Sequence, residues 1–215
     1  MDLDEKIENT VESVKNSNSL KKYWKWAVII ALALWVWSMY NGFVKAEEPI
    51  AAAWGEVETQ YQARADKVKV ITKIIENSAN FEKGTLKDVI EARAKATSIN
   101  LDASNLTPEN MANFEKAQGQ LTGALSRLMM TIERYPTLKT TDAFRDFQAQ
   151  YEGIENRISK ARSDFNGTIK PFNIKVKKFP GKLIAGLFGF SAKPYFKASA
   201  GSEDAPDIGD MNFDR

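Results

Sequence analysis

Apolar and polar residues follow two different patterns along this chain. Over residues 26–44 (WAVIIALALWVWSMYNGFV) they do not alternate: no charge interrupts the run, and Lys25 and Lys45 bracket it. A helix needs roughly 17–25 residues of this kind to cross the hydrocarbon core of a bilayer, so the run predicts one transmembrane helix. Further on, apolar positions recur in alternating steps of three and four, the spacing that collects them on one helical face. Trp54, Val57, Tyr61, Val68, Ile71 and Ile75 make one such seam, continued by Glu82 and interrupted at Arg64 and Ser78. Met111, Phe114, Gln118, Leu121, Leu125, Leu128, Ile132 and Tyr135 make a second without a slip. Phe144, Phe147, Tyr151, Ile154, Ile158, Ala161, Phe165, Thr168, Phe172 and Phe179 make the third.

Breakers and caps divide these seams into helices. Pro49 suits a first helical turn. Gly84 and Thr85 end the first seam, and Thr85-x-x-Asp88 has the form of a capping box opening a shorter helix to about Ile99. Residues 100–107 are rich in Asn, Ser and Asp and read as a loop, after which Thr107-Pro108 supplies a cap and a proline at the first helical position. Pro136 stops that helix, Thr141 caps the last one, and Pro171 predicts a kink near Gly167. Strand signals are nearly missing. The predicted fold is all-α: a single N-terminal transmembrane helix followed by an antiparallel up-and-down bundle of three to four long helices.

The expected layout is a cytoplasmic tail over residues 1–25, the span over 26–44, the bundle over 45–196 and a flexible acidic tail over 197–215. Leu3, Ile7, Val11 and Val14 share one face of the first segment, but an isolated helix of that length is marginal and a solvated tail is expected. In the last segment Asp207, Asp210 and Asp214 lack calcium-loop spacing, and Gly201, Ser202 and Pro206 favour disorder.

Flanking charge sets the orientation. Lys15, Lys21, Lys22 and Lys25 precede the span, whereas Lys45 is followed at once by Glu47 and Glu48 and the next basic residue is Arg64. Cytoplasmic flanks hold the excess of Lys and Arg, so the N-terminus is expected in the cytoplasm and the body outside it, with the span in the cell (inner) membrane. Tyr23, Trp24 and Trp26 suit one interface and Tyr40 the other. A cleaved signal peptide competes, with Val44-Lys45-Ala46 as its cleavage site. Signal peptides have shorter apolar regions and basic leaders, and this leader carries Asp2, Asp4, Glu5, Glu8 and Glu12.

Composition narrows the chemistry. The net charge is +2 over 215 residues, which gives no nucleic-acid-binding surface. Cysteine is absent, which removes disulfides, thiolate metal sites and cysteine nucleophiles. Histidine is absent as well, which removes Ser-His-Asp triads, His-zinc sites and Glu-x-x-His di-iron bundles. No catalytic, cofactor-binding or metal-binding residue is assigned, no cofactor is expected, and the chain does not read as an enzyme.

Two polar features remain. Glu133, Glu152 and Glu155 could gather into a carboxylate group for a hard cation, or enter ion pairs with Arg127, Arg157 and Arg162; the paired lattice is the favoured reading. Lys175, Lys177, Lys178 and Lys182 lead into the short apolar run of residues 183–190. That run either caps the open end of the bundle or lies in the membrane interface with its lysines against anionic lipid heads. Helix parity decides: four alternating helices bring it back to the membrane, three leave it distal.

In order and wording these segments resemble the LemA family of bacterial membrane proteins. The likeness runs from Tyr40 to about Phe196. It includes Tyr40-Asn41, Trp54, Arg64-Ala65-Asp66, Glu91-Ala92-Arg93-Ala94 and LTGALSRLMMTIERYPTLK over residues 121–139. Phe144-x-x-Phe147-Gln148, EGIENRISKARSDFN over 152–166, FPGKLIAGLFGF over 179–190 and Lys193-Pro194-Tyr195-Phe196 complete it. The chain departs from the family pattern at residues 67–71 (KVKVI), where an apolar Pro-Asn stretch is usual, at Phe81-Glu82 in place of His-Glu, and in its longer N-terminal extension. The resemblance implies a single-pass membrane protein with a helical domain and no established biochemical activity. The expected role is a scaffold or protein-interaction module of the cell envelope, with lipid-surface binding or membrane remodelling as the alternative.

Overall fold

The computed structural model describes residues 3–77 and 81–197, with side chains described from Tyr23 onward. Six helices are present among them: α1 (Leu3–Glu76), α2 (Lys83–Ser98), α3 (Pro108–Ile132), the single turn α4 (Pro136–Lys139), α5 (Asp142–Lys177) and α6 (Gly181–Phe188). No strand occurs among the described residues. The chain divides into two compact units, one of residues 1–47 and 175–191, the other of residues 48–174 and 192–215. The acidic tail from residue 198 and the side chains of Leu3, Ile7, Val11 and Val14 lie outside the described residues.

The first unit holds the apolar run, which is helical throughout as part of α1. This stretch is long and apolar enough to cross a membrane and almost wholly exposed, as fits a single-pass membrane protein. The backbone is helical from Leu3, where a solvated tail was expected. Pro49 lies inside α1 and does not open a new helix. A proline costs an interior helix one backbone bond, and here the turns on either side are already helical.

The second unit is an antiparallel four-helix bundle. Trp54 of α1 meets Phe114 of α3 and Phe165 of α5 at one end. At the other, Ile75, Ile132, Leu138 and Phe144 share one buried cluster. The bundle part of α1 and α3 therefore run the same way and α5 runs against them. Contacts of α2 from Arg93 to Ala65 and from Ala96 to Gln118 set it antiparallel to both. The three seams supply the core: Trp54, Val57, Val68, Ile71, Leu121, Leu128, Ile154 and Phe165 are all buried. Each large side chain so removed from water contributes roughly 1.5–3 kcal/mol.

Helix ends follow local chemistry. Thr107 caps α3, its hydroxyl accepting the Asn110 N–H at 3.2 Å. Thr141 caps α5, accepting the Phe144 N–H at 3.3 Å. The Thr85 box does not form: α2 starts at Lys83, and the Thr85 hydroxyl instead donates to the Glu82 carboxylate at 3.1 Å. Pro136 ends the seam of α3 but also opens α4, where its missing N–H is harmless. On α5 the seam slips by one residue near its end. Ile169 is buried where Thr168 was expected, and Phe179 lies beyond the helix and is exposed.

Candidate functional site

The polar centre of the bundle is Arg64, which the apolar spacing marks as an interruption. Its side chain is only 3% exposed. One guanidinium nitrogen donates to the Thr122 hydroxyl at 3.0 Å and pairs with Glu155 at 3.1 Å. The other donates to the side-chain and main-chain oxygens of Gln118. Nε is buried without a hydrogen-bond partner. Tyr61 covers the group, its ring centroid 4.9 Å from the guanidinium carbon. Three helices thus converge on one buried cation. Such a charge is tolerated inside a protein only when hydrogen bonds replace its lost water.

Arg162 makes a second, shallower node. It pairs with Glu115 at 3.3 Å, donates to the Lys197 carbonyl at 2.8 Å and lies 4.7 Å from the centroid of the Phe196 ring. Between the two nodes lies a cavity of about 550 Å3, lined by Tyr61, Arg64, Gly119, Glu155, Arg162 and Lys197 among others. Burial pushes the Tyr61 phenol above its ordinary range, while Arg162 and Arg64 pull it back. Burial, and then the negative charge of Glu155, push the Tyr151 phenol up further still. Both phenols are hydrogen-bonding groups near neutral pH, and neither is primed as a base.

The carboxylates singled out from sequence do not gather. Glu155 turns to Arg64, and Glu133 pairs with Lys139. Among the described residues no group of three or more acidic side chains could hold a metal ion. The expected pairing of Glu133, Glu152 and Glu155 with Arg127, Arg157 and Arg162 does not appear among the ion pairs of the described residues. Arg162 takes Glu115, Arg157 donates to the Gln60 side chain at 3.1 Å, and Arg64, absent from the expected set, makes the buried pair.

A feature that helical spacing does not reveal is the clamp on the C-terminal segment. The Asn173 amide donates to the Lys193 carbonyl and accepts the Lys193 N–H, both at 2.8 Å. Two turns earlier on the same face, Asn166 does the same with Phe196, at 3.0 and 2.9 Å. The two amides treat the extended chain as a neighbouring strand would. Phe196 is thereby set flat against Trp54, the ring centroids 6.0 Å apart. The recurrence of Asn seven residues apart beside Lys193-Pro194-Tyr195-Phe196 is the available sequence signal.

In the other unit, α6 packs on the end of the apolar run. Phe188 and Phe190 lie 5.0 and 5.8 Å from the Tyr40 ring, and Phe190 stacks on Phe43 at 5.0 Å. Gly181 allows the approach of α5 and α6, because a Cβ there would stand 2.2 Å from the Lys175 carbonyl oxygen. The Lys175 ammonium sits 4.5 Å from the centroid of the Phe43 ring, and burial lowers its pKa. An apolar groove of about 530 Å3 runs along Leu32, Val36, Trp37 and Tyr40 to Phe188. The segment after Lys182 thus contacts the end of the apolar run through Phe188 and Phe190.

Comparison with known proteins agrees with this anatomy. The LemA family model matches residues 53–209. Magnetosome protein MamQ 2 of Paramagnetospirillum magneticum is 23% identical over 186 residues, 79% of this chain and 68% of that protein. Magnetosome protein MamQ of Magnetospirillum gryphiswaldense is 24% identical over 174 residues, covering 73% of this chain and 64% of that relative.

Proposed function

The chain belongs to the LemA family, and we propose that it is a membrane-tethered helical scaffold of the bacterial cell envelope. In this reading the N-terminus is cytoplasmic, residues 26–44 cross the inner membrane, and the four-helix bundle lies outside the cytoplasm, where it receives protein partners. The supporting observation is the bundle itself. Its buried Arg64 holds α1, α3 and α5 together through Thr122, Gln118 and Glu155, beside a polar groove that Gly119 helps to line. A rigid body with such a groove is suited to recognition, and the reading requires no catalytic residue.

Photocrosslinking in intact cells tests it. A crosslinker at Gly119 or Lys116 is expected to give discrete protein adducts that a crosslinker at Ile90 on α2 does not. Recovery of the bait alone from every position, under gentle detergent conditions, would overturn the scaffold. Reporter fusions before Trp26 and after Phe196 test the orientation, which fails if both reporters signal from the same compartment.

A second reading is lipid-surface binding or membrane remodelling through Lys175, Lys177, Lys178, Lys182 and the apolar residues after them. Its support is the packing of α6 on Tyr40 and Phe43, at the end of the span.

A further inference from the structure

Helix α6 has two apolar faces, and the protein covers one. Gly181, Ile184 and Ala185 are buried. On the other side Leu183 and Leu187, four residues apart, are 65% and 73% exposed, and Phe179 in the turn just before the helix is 76% exposed. In water a continuous apolar row of this kind marks a surface that something else covers. Lys182 in the first turn of the helix and Lys178 in the turn before it are both exposed, and the Lys182 N–H donates to the Lys178 carbonyl at 2.9 Å. The helix and the turn that leads into it therefore present exposed lysines beside exposed apolar side chains, the pattern of a segment lying in a membrane interface.

What covers the row follows from its neighbour in the same unit. Phe188 touches Tyr40, and Phe190 touches Tyr40 and Phe43. Tyr40 is only four residues, about 6 Å of helix rise, from the end of the apolar run. The lipid-facing surface of the span, with Leu34 and Trp37 exposed, thus continues onto α6 at the level where acyl chains give way to headgroups. Lys175 is excluded from the headgroup set, because its ammonium lies over the Phe43 ring and 2.7 Å from where a Gly42 Cβ would stand.

We propose that α6 is an interfacial helix holding anionic phospholipid. Phe179, Leu183 and Leu187 enter the acyl-chain boundary of the leaflet at the C-terminal end of the span, and Lys178 and Lys182 take the lipid phosphate. This rests on the lipid-surface reading above and adds the lipid class and the residues that meet it.

The absence of cysteine makes the test direct. Full-length protein carrying single substitutions Leu183→Cys, Leu187→Cys or Ile90→Cys is spin-labelled and reconstituted. The vesicles are phosphatidylcholine alone or a mixture with phosphatidylglycerol. Collision with oxygen relative to a water-soluble nickel chelate then reports depth. The ratio at positions 183 and 187 should exceed that at position 90 several-fold. It should rise further with phosphatidylglycerol, and that rise should vanish in a Lys178→Gln/Lys182→Gln background. Insertion that is equal in both vesicle types, and unchanged by the double substitution, would overturn the headgroup assignment while leaving the lipid-surface reading intact. Labels at 183 and 187 as open to nickel as the one at 90 would overturn both.

Discussion

Trp54 and Trp37 stand on one helix in opposite surroundings. Trp54 is buried, with its indole N–H donating to the Leu101 carbonyl at 2.7 Å and its ring edge-on to Phe114 and Phe165. Trp37 is 65% exposed among Leu34, Trp35 and Tyr40, which are exposed too. The same contrast separates the two units. The bundle keeps most of its large apolar residues inside and closes the Arg64 guanidinium on side chains of α3 and α5. In the unit that contains the span, most such residues face outward, where lipid is the matching solvent. Hydrophobicity alone thus does not say where a side chain sits. The seam spacing of three and four marks a face turned to protein, and an unbroken run marks a surface turned to lipid.

The strongest way to break this comparison is to remove each indole. Trp54→Ala should destabilise the bundle by about 3–5 kcal/mol, the usual cost of deleting a buried aromatic. Trp37→Ala should leave the denaturant midpoint of the full-length protein in detergent unchanged. Equal losses from the two would show that the span's aromatics are part of a protein core.

Next in size is the buried cation. Arg64→Ala leaves Glu155 and the Gln118 side chain without their partner and should cost about 3 kcal/mol. Arg64→Met, which fills the space without a charge, should cost less in Glu155→Gln protein than in the parent. Additive effects of the two substitutions would show that the pair contributes nothing as a pair. Smaller still is the clamp on α5. Asn173→Ala removes two hydrogen bonds to Lys193 and is expected to cost about 1–3 kcal/mol. Amide exchange at Lys193 should rise with it and exchange at Met111 should not.

Local spacing made the seams, the span and the caps at Thr107 and Thr141 legible, because each depends on residues within a few positions of one another. Arg64 was legible only as a gap in a row. Its partners Thr122 and Glu155 lie 58 and 91 residues away and meet it only after three helices assemble. The carboxylate grouping of Glu133, Glu152 and Glu155 failed for the same reason, since proximity along α5 does not show which helix each acid faces. Pro49 and Pro136 were read as one signal each, a start and a stop. A proline is also compatible with a continuing helix or a fresh turn, and neighbouring structure decides which. The exposed row on α6 was legible as apolar sequence, but the packing of Phe188 against Tyr40 beside it was not.

The smallest effect at neutral pH concerns the phenols beside Arg64. Burial is the first cause that raises the pKa of both Tyr61 and Tyr151 above the ordinary 10.0. A group whose folded pKa is raised favours folding below its unfolded value and loses that contribution as the pH climbs through the folded one. Stability should therefore be level from neutrality to about pH 10 as far as these groups are concerned, then fall at higher pH. Tyr151→Phe, with no ionisable oxygen, should flatten part of that fall while leaving the neutral-pH midpoint nearly unchanged. The two curves are compared by chemical denaturation between pH 8 and pH 12. An alkaline limb that is identical in the variant would mean that Tyr151 ionises as freely in the bundle as in the unfolded chain. The closure of polar groups that distinguishes the bundle from the span would then not reach this residue.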